Sequence, residues 1–409
     1  MSEIWPLSFD FCRFAAKMDE QLRIAGAAQQ ESGGVTVAVQ ELETPVETRK
    51  ALRPINDVDV HPSIGGGLEV LLPYMPKAWQ EKIKPHARGP LRPGGGRYLH
   101  PIEVPVMRDA IPPGGGMPAT DPQFVARQHL DRYNVQHGLL IEIVASTLAI
   151  AAVDPDHSAV LVSACNDYIL DHWQGQDDRY TYALTVSPLD PSLAVREIHR
   201  HGKNPFVSCI FLPIQNIRLG NRHYYPIFEA AVEHGLNIVC HPGAGESMFQ
   251  GTGAVFACGI AERYIERYVE WGQIPWSCIS SLIFNGALDR YPDLKFMWVE
   301  WGFAWAVPMS WRMDKSWREL RADCPWVKTW PSDYLHDRFF FSTQPIDEPR
   351  REGDLVRMVE DYFADNLCFA SDYPHWDNDR PDMILKGLKP ETQQKVYHDN
   401  ALKFLRLPK

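Results

Sequence analysis

Five short segments of the sequence place acids or imidazoles at or near the ends of apolar runs. Asp57-Val58-Asp59-Val60-His61 closes one run, Cys240-His241-Pro242-Gly243 a second, Trp298-Val299-Glu300 a third and Ser371-Asp372-Tyr373-Pro374-His375 a fourth. Glu142 lies inside a fifth, LLIEIV. Carboxylate oxygens and imidazole nitrogens ligate divalent zinc, manganese and iron, and the same groups act as general acids and bases near neutral pH. In a strand successive side chains alternate, so Asp57, Asp59 and His61 are expected on one face, where Asp59 and His61 can chelate one ion. Each residue also has a plainer role. A lone His at a strand end commonly serves as a hydrogen-bonding group, Asp57 can accept from backbone amides below the site, and Glu142 can pair with an arginine behind the strand wall. Their joint occurrence shifts the balance. Buried, unpaired acids cost several kcal/mol each, and a divalent cation offsets that cost for all of them at once. A divalent-metal site is therefore expected, with the individual ligands left open.

Residues 55–60, 139–144, 180–186, 206–212, 236–240, 295–299, 338–342 and 366–370 are short apolar runs of strand length. Near-continuous apolarity is what strands buried on both faces require. Between them lie segments with apolar residues at helical spacing, such as FVARQHLDRY, SLAVREIHRHG and YPIFEAAVEHG, several ending near Gly or Pro. Eight β-α alternations predict an α/β fold, a closed (β/α)8 TIM barrel over residues 51–409, whose strands present chemistry at their C-terminal ends. An open doubly wound sheet is the runner-up; no GxGxxG follows any run, which weakens its dinucleotide-binding version. Residues 62–121, which include the GGG runs of LRPGGGRY and IPPGGGMP, read as a long active-site lid. The aromatic segment 301–337 reads as a helix packed on the barrel or on a neighbouring subunit. Residues 1–50 read as an N-terminal extension: a tail, or an arm whose Trp5, Phe9, Phe11 and Phe14 dock on a partner.

The chain has 409 residues and a net charge of −11. That charge argues against general binding to nucleic acid or anionic membranes. No apolar run is long enough to span a membrane, and the N-terminus has no basic-then-apolar leader pattern. The eight cysteines form no CxxC pair, and several sit in apolar runs. Reduced, buried thiols in a cytoplasmic protein are expected.

Over roughly residues 52–406 the sequence resembles the amidohydrolase superfamily, and within it the amidohydrolase-related branch that includes aminocarboxymuconate-semialdehyde decarboxylase. The resemblance rests on DVDVHP, HYYPIFEAAVEHGLNIVCHPG, GALDRYPDLKFMWVEWGFAW, FSTQP, NLCFASDYPHWD and the closing HDNALKFLRL, in that order. It implies Asp59 and His61 as strand-1 ligands, His241 as the strand-5 ligand and Asp372 as strand-8 ligand or base. Two positions depart from the family pattern. The strand-1 His-x-His is Asp59-x-His61, and the strand-6 His is Glu300. Strand 4, FVSCIFLP, also lacks the lysine that bridges two metals in many members.

Three activities are compatible with this resemblance. In a mononuclear hydrolase, one Zn²⁺ or Mn²⁺ on Asp59, His61 and His241 activates water, and Asp372 takes its proton. In a non-oxidative decarboxylase of a small aromatic carboxylate, the metal holds the substrate and a nearby acid protonates carbon. The third activity makes use of the departures. Asp59, His61, Glu142, His241, Glu300, Asp372 and His375 are enough donors for two iron or manganese ions, as in the dinuclear non-haem monooxygenases of this fold that hydroxylate small carboxylic or amino acids. This oxygenase is the favoured expectation, with Asp372, Glu300 and His375 as its catalytic groups and an electron-transfer partner beside the small-molecule substrate. A structural subunit with a degenerate site is the non-enzymatic alternative, and the intact donor set argues against it. A homo-oligomer, or a hetero-oligomer with a related subunit, is expected from the aromatic N-terminal extension and the 301–330 segment.

Overall fold

A computed structural model describes residues 53–87, 106–243, 261–351 and 353–408. The expected extension 1–50 lies outside the described residues, as does the GGG run of LRPGGGRY in the 62–121 loop. Eight parallel strands run in sequential order: β1 (Ile55–Val60), β2 (Val135–Leu140), β3 (Tyr180–Thr185), β4 (Val207–Phe211), β5 (Asn237–Cys240), β6 (Phe296–Trp298), β7 (Phe339–Ser342) and β8 (Leu367–Cys368). Helices intervene, including Pro155–Trp173 before β3, Pro191–His201 before β4 and Tyr225–Glu233 before β5. Sequential order rules out the doubly wound alternative, whose strand order reverses at a switch point. The fold is the (β/α)8 barrel.

Every strand contributes to the barrel interior. Val58, Leu139, Ala183, Cys209, Phe211, Val239, Met297, Phe340 and Cys368 form one buried cluster, closed below by Ala401, Phe404 and Leu405 of the last helix. Side chains of the opposite parity, such as Tyr182, Ile210, Ile238, Phe296 and Phe341, belong to a separate cluster with the surrounding helices. Asn56 Nδ2 donates to His398 O at 2.9 Å and Asn237 Nδ2 to Phe404 O at 2.6 Å, tying strands to the C-terminal helical segment.

Closure between β1 and β8 is irregular. β8 is only two residues long, and past it the seam is held by Val58 N to Phe369 O at 3.1 Å, Asp372 N to Asp59 O at 3.1 Å and His61 N to Tyr373 O at 2.7 Å. The 62–121 loop contains a helix, Lys77–Ile83, and returns to this end of the barrel, where Met107 N–H donates to Pro374 O at 2.8 Å. The 301–337 segment is helical as expected (Ala306–Leu320, then Pro331–Arg338), with Trp311, Trp326 and Trp330 exposed. The six described cysteines are free and buried. No helix among the described residues is long and apolar enough to cross a membrane.

Two sequence expectations are corrected. The second strand lies at Val135–Leu140, not 139–144: LLIEIV straddles the strand end and the following helix, and an apolar run carries no period that separates the two. Glu142 consequently caps helix Ile143–Ala151. Its Oε1 accepts from Val144 N at 2.9 Å and its Oε2 from Ala145 N at 2.5 Å, so both oxygens are engaged by backbone and neither joins the other candidate ligands. The second correction concerns β1. A register shift between Asp57 and Val60 breaks the alternation, as a bulge does, so Asp57 does not share a face with Asp59 and His61. Its neighbour Val58 packs inside the barrel, while Asp57 bonds His129 on the helical segment before β2.

Burial pushes the Glu142 carboxyl from 4.5 up to about 7, against the two backbone N–H groups that pull it down. The folded chain thus favours the protonated acid: this contribution to stability is complete below about pH 4.5 and is lost as pH rises through about 7. Glu142→Gln keeps one acceptor and cannot ionise. Denaturation series across that window should show its stability falling less steeply than the parent's, by up to ~1.4 kcal/mol per pH unit, one proton's worth. An unchanged slope would count against a buried ionising acid at this cap.

Candidate metal centre

Asp59, His61, His241, Glu300, Asp372 and His375 come together at the C-terminal end of the barrel. Asp59, His61 and His241 have ligand atoms within 4.8 Å of one another, and the same holds for His61, Asp372 and His375. His61 Nδ1 donates to Ile141 O at 2.8 Å, which turns the Nε2 lone pair inward, 3.2 Å from Asp59 Oδ1 and 2.9 Å from Asp372 Oδ1. His241 Nδ1 donates to Pro242 O at 2.7 Å, and its Nε2 faces Asp59 Oδ2 at 3.5 Å and Glu300 Oε2 at 2.9 Å. A carbonyl can only accept, so both imidazoles are held with Nε2 free to ligate. Second partners of this kind orient metal-binding histidines.

The test of fit lies in the orphaned atoms. Asp59 Oδ1, Asp59 Oδ2 and His241 Nε2 are buried and make no hydrogen bond, although each has a titratable neighbour within reach. Buried carboxylate oxygens rarely go unsatisfied. One cation among Asp59, His61 and His241 would satisfy all three atoms, so the residues fit a divalent ion. Of the bridging lysine nothing is found on β4, which reads VSCIF.

The strand ends aim these groups through unusual backbone. Glu300 and Asp372 both adopt left-handed conformations, with φ of 62° and 61°. Non-glycine residues hold such angles where surrounding bonds enforce them. Glu300 N–H donates to Ser342 Oγ at 2.9 Å, and Asp372 N–H to Asp59 O. Burial raises the Glu300 carboxyl to about 7, with help from Asp372, and raises Asp372 to about 6. Burial also lowers His61 to about 3, favouring the neutral imidazole that a ligand must be. His241 and His375 go the other way. Burial opposes their charge, but Asp59 and Glu300 outweigh it at His241, and Asp372 and its 2.5 Å bond outweigh it at His375, which rises to about 9.

Four further residues belong to the site and were not singled out from sequence. Gln344, buried two residues past β7, donates through Nε2 to Asp372 Oδ2 at 3.0 Å. Asp377 lies with Glu300 and Asp372 in a third donor group and accepts from the Tyr268 hydroxyl. His129 reaches the site from behind through Asp57. The FSTQP and PHWD segments carried two of the four in view, but nothing in an isolated Gln or Asp marks its direction. Tyr268 and His129 sit on helices, where only packing shows them near strand ends.

A family model described as Amidohydrolase matches residues 57–407. Among solved structures, an amidohydrolase from Mycobacterium avium subsp. paratuberculosis K-10 is 20% identical with a TM-score of 0.64, over 86% of this chain and 98% of that one. The 5-carboxyvanillate decarboxylase of Novosphingobium aromaticivorans DSM 12444, solved with manganese and 4-hydroxy-3-methoxy-5-nitrobenzoic acid, is 19% identical with a TM-score of 0.59, over 87% and 96%. The 2,6-dihydroxybenzoate decarboxylase from Rhizobium is 15% identical with a TM-score of 0.57, over 86% and 99%. At such identities the likeness establishes the fold. No curated protein matches the chain.

If Asp59, His61 and His241 hold the ion, His61→Ala and His241→Ala should each weaken divalent-metal binding by more than the roughly 10–100-fold that outer partners contribute. Metal content after dialysis, with calorimetric titration of the stripped protein, measures this. A double variant that keeps the parent's metal content would exclude the assignment.

Proposed function

The chain belongs to the amidohydrolase family, and from that membership we propose that it is a divalent-metal-dependent enzyme that releases CO2 from a small aromatic carboxylate without oxidation. The observation that carries this is geometric: the orphaned oxygens of Asp59 and Nε2 of His241 share one buried space with an acid pair, Asp372 and Glu300. The solved 5-carboxyvanillate and 2,6-dihydroxybenzoate decarboxylases of the same fold support it, and they do so better than they support the oxygenase favoured from sequence. Manganese, present in the former, or zinc suits a carboxylate-imidazole donor set. Water activation for hydrolysis is the alternative use of the same donors.

In this reading Asp59, His61, His241 and Asp372 hold the ion, which when bound supplies positive charge for the substrate's carboxylate and an adjacent oxygen. The protein's own groups manage the proton. When the carbon–carbon bond breaks, its electron pair stays on the ring carbon and CO2 departs. That carbon then takes a proton from Glu300, whose carboxyl retains one near neutral pH because it is buried. In its neutral form Glu300 also presents no negative charge to an anionic substrate. His375, held by Asp372 and biased toward its protonated form, supplies the replacement proton. Gln344 keeps Asp372 in place through its free carboxylate oxygen.

A second reading keeps the oxygenase. Its support is the third donor group, in which ligand atoms of Glu300, Asp372 and Asp377 lie within 4.8 Å of one another, beside the first. Two iron or manganese ions would then be bound, and an electron-transfer partner would be required. We also retain the oligomer as a proposal, on the exposed Trp311, Trp326 and Trp330; light scattering at micromolar concentration tests it.

The test is anaerobic incubation of the Mn²⁺-loaded protein with hydroxylated benzoates, following CO2. Oxygen-independent release at one metal per chain supports the decarboxylase; turnover that requires O2 and two metals per chain replaces it with the oxygenase. Glu300→Gln should lower kcat by roughly 10²–10⁴-fold, the usual contribution of a positioned acid. Parent activity should fall as pH rises past neutrality and Glu300 loses its proton. A Glu300→Gln variant with parent-like kcat would remove Glu300 as the proton donor.

A further inference from the structure

We infer that the buried Asp57–His129 pair is the positioning element that holds the strand-8 acid, Asp372, in register with the strand-1 ligands Asp59 and His61. This rests on the metal reading above and concerns residues that touch neither metal nor substrate.

The β1–β8 seam creates the need. β8 ends at Cys368, four residues before Asp372, so no regular ladder reaches Asp372. The two carboxylates that must face one ion, Asp59 and Asp372, therefore stand on opposite sides of the weakest junction in the barrel. Asp57 bridges that junction with one oxygen. Its Oδ1 accepts from Asp59 N at 3.1 Å and from Ser371 N at 3.0 Å, the residues that are, and immediately precede, the two ligands. Its Oδ2 is bonded to His129 Nε2 at 2.7 Å. Asp57 is 1% exposed and His129 3% exposed, so the carboxylate has no water to turn toward.

His129 contributes more than one bond. Its ring stacks on Tyr373 with centroids 4.7 Å apart, and its Nε2 lies 3.4 Å from Ser371 Oγ, which accepts from Tyr373 N. Tyr373 O in turn accepts from His61 N. Ser371 and Tyr373 flank Asp372, so both of its neighbours are fixed by the pair while Asp372 itself holds a left-handed backbone angle. The β1 bulge explains how Asp57 comes to do this. Asp57 lies on the outer side next to the inward Val58, toward the helical segment, and the register shift that follows it leaves Asp59 on the inner side, toward the site.

Outer partners of metal ligands typically change affinity by 10–100-fold when removed. Asp57→Ala and His129→Ala should accordingly raise the Mn²⁺ dissociation constant by about 10–100-fold in calorimetric titration, with the circular dichroism of the metal-free chain unchanged. His129→Gln retains an N–H donor for Asp57 and should return affinity to within about threefold of the parent, a rescue that loss of general stability would not produce. If Asp57→Ala does not fold, His129→Ala and His129→Gln decide the matter. Parent-like Mn²⁺ affinity in the soluble Ala variant overturns the positioning role alone. A parent chain that binds no Mn²⁺ overturns the metal reading, and the positioning role with it.

Discussion

Burial of charge is the constraint from which the rest of the site follows. Asp59, Asp372 and Glu300 are buried at one end of the barrel, linked to one another through His61 and His241, with His375 beside Asp372. Moving ionised groups out of water costs several kcal/mol each unless counter-charge and hydrogen bonds are supplied. Imidazoles meet part of that demand: His375 and His241 are drawn toward their protonated forms by the acids around them. They do not meet all of it, because His61 is driven neutral and both Asp59 oxygens remain without hydrogen bonds. A divalent cation answers the remaining demand, and the histidines already present the correct nitrogen to it.

The backbone supplies the aim. A regular strand would set alternate residues on opposite faces and would place Asp57 beside Asp59 and His61. The register shift in β1 separates them, giving two inner donors and one outer carboxylate from a five-residue stretch. Left-handed turns at Glu300 and Asp372 bring the ends of β6 and β8 across the barrel mouth. Such angles persist where bonds over-determine them, and each is held by a specific acceptor, Ser342 Oγ for Glu300 and Asp59 O for Asp372.

Glu300, just past the end of β6 where the resemblance implied an imidazole, sets what the site can do with a proton. An imidazole would carry positive charge toward an anionic substrate. A buried carboxyl instead offers a neutral O–H while pH stays near or below about 7. The neighbouring Asp377, tied to Tyr268, adds a further carboxylate to that side of the mouth.

Sequence by itself determined the barrel and most of the donor set. Eight apolar runs separated by helical periods admit few architectures, and acids or imidazoles at the ends of β1, β5, β6 and β8 must converge once the strands close in order. Two features were beyond its reach because they depend on where the backbone departs from its period. LLIEIV has no repeat that marks where strand gives way to helix, so Glu142 was read as a ligand when it is a cap. DVDVH alternates perfectly as text, so nothing in it announced the register shift that parts Asp59 and His61 from Asp57. Gln344, Asp377, Tyr268 and His129 became visible only with tertiary structure, since their roles come from contacts with Asp372, Asp57 or one another across the fold. Local pattern sets which groups reach the barrel mouth; the non-local bonds across the β1–β8 seam decide which of them face inward.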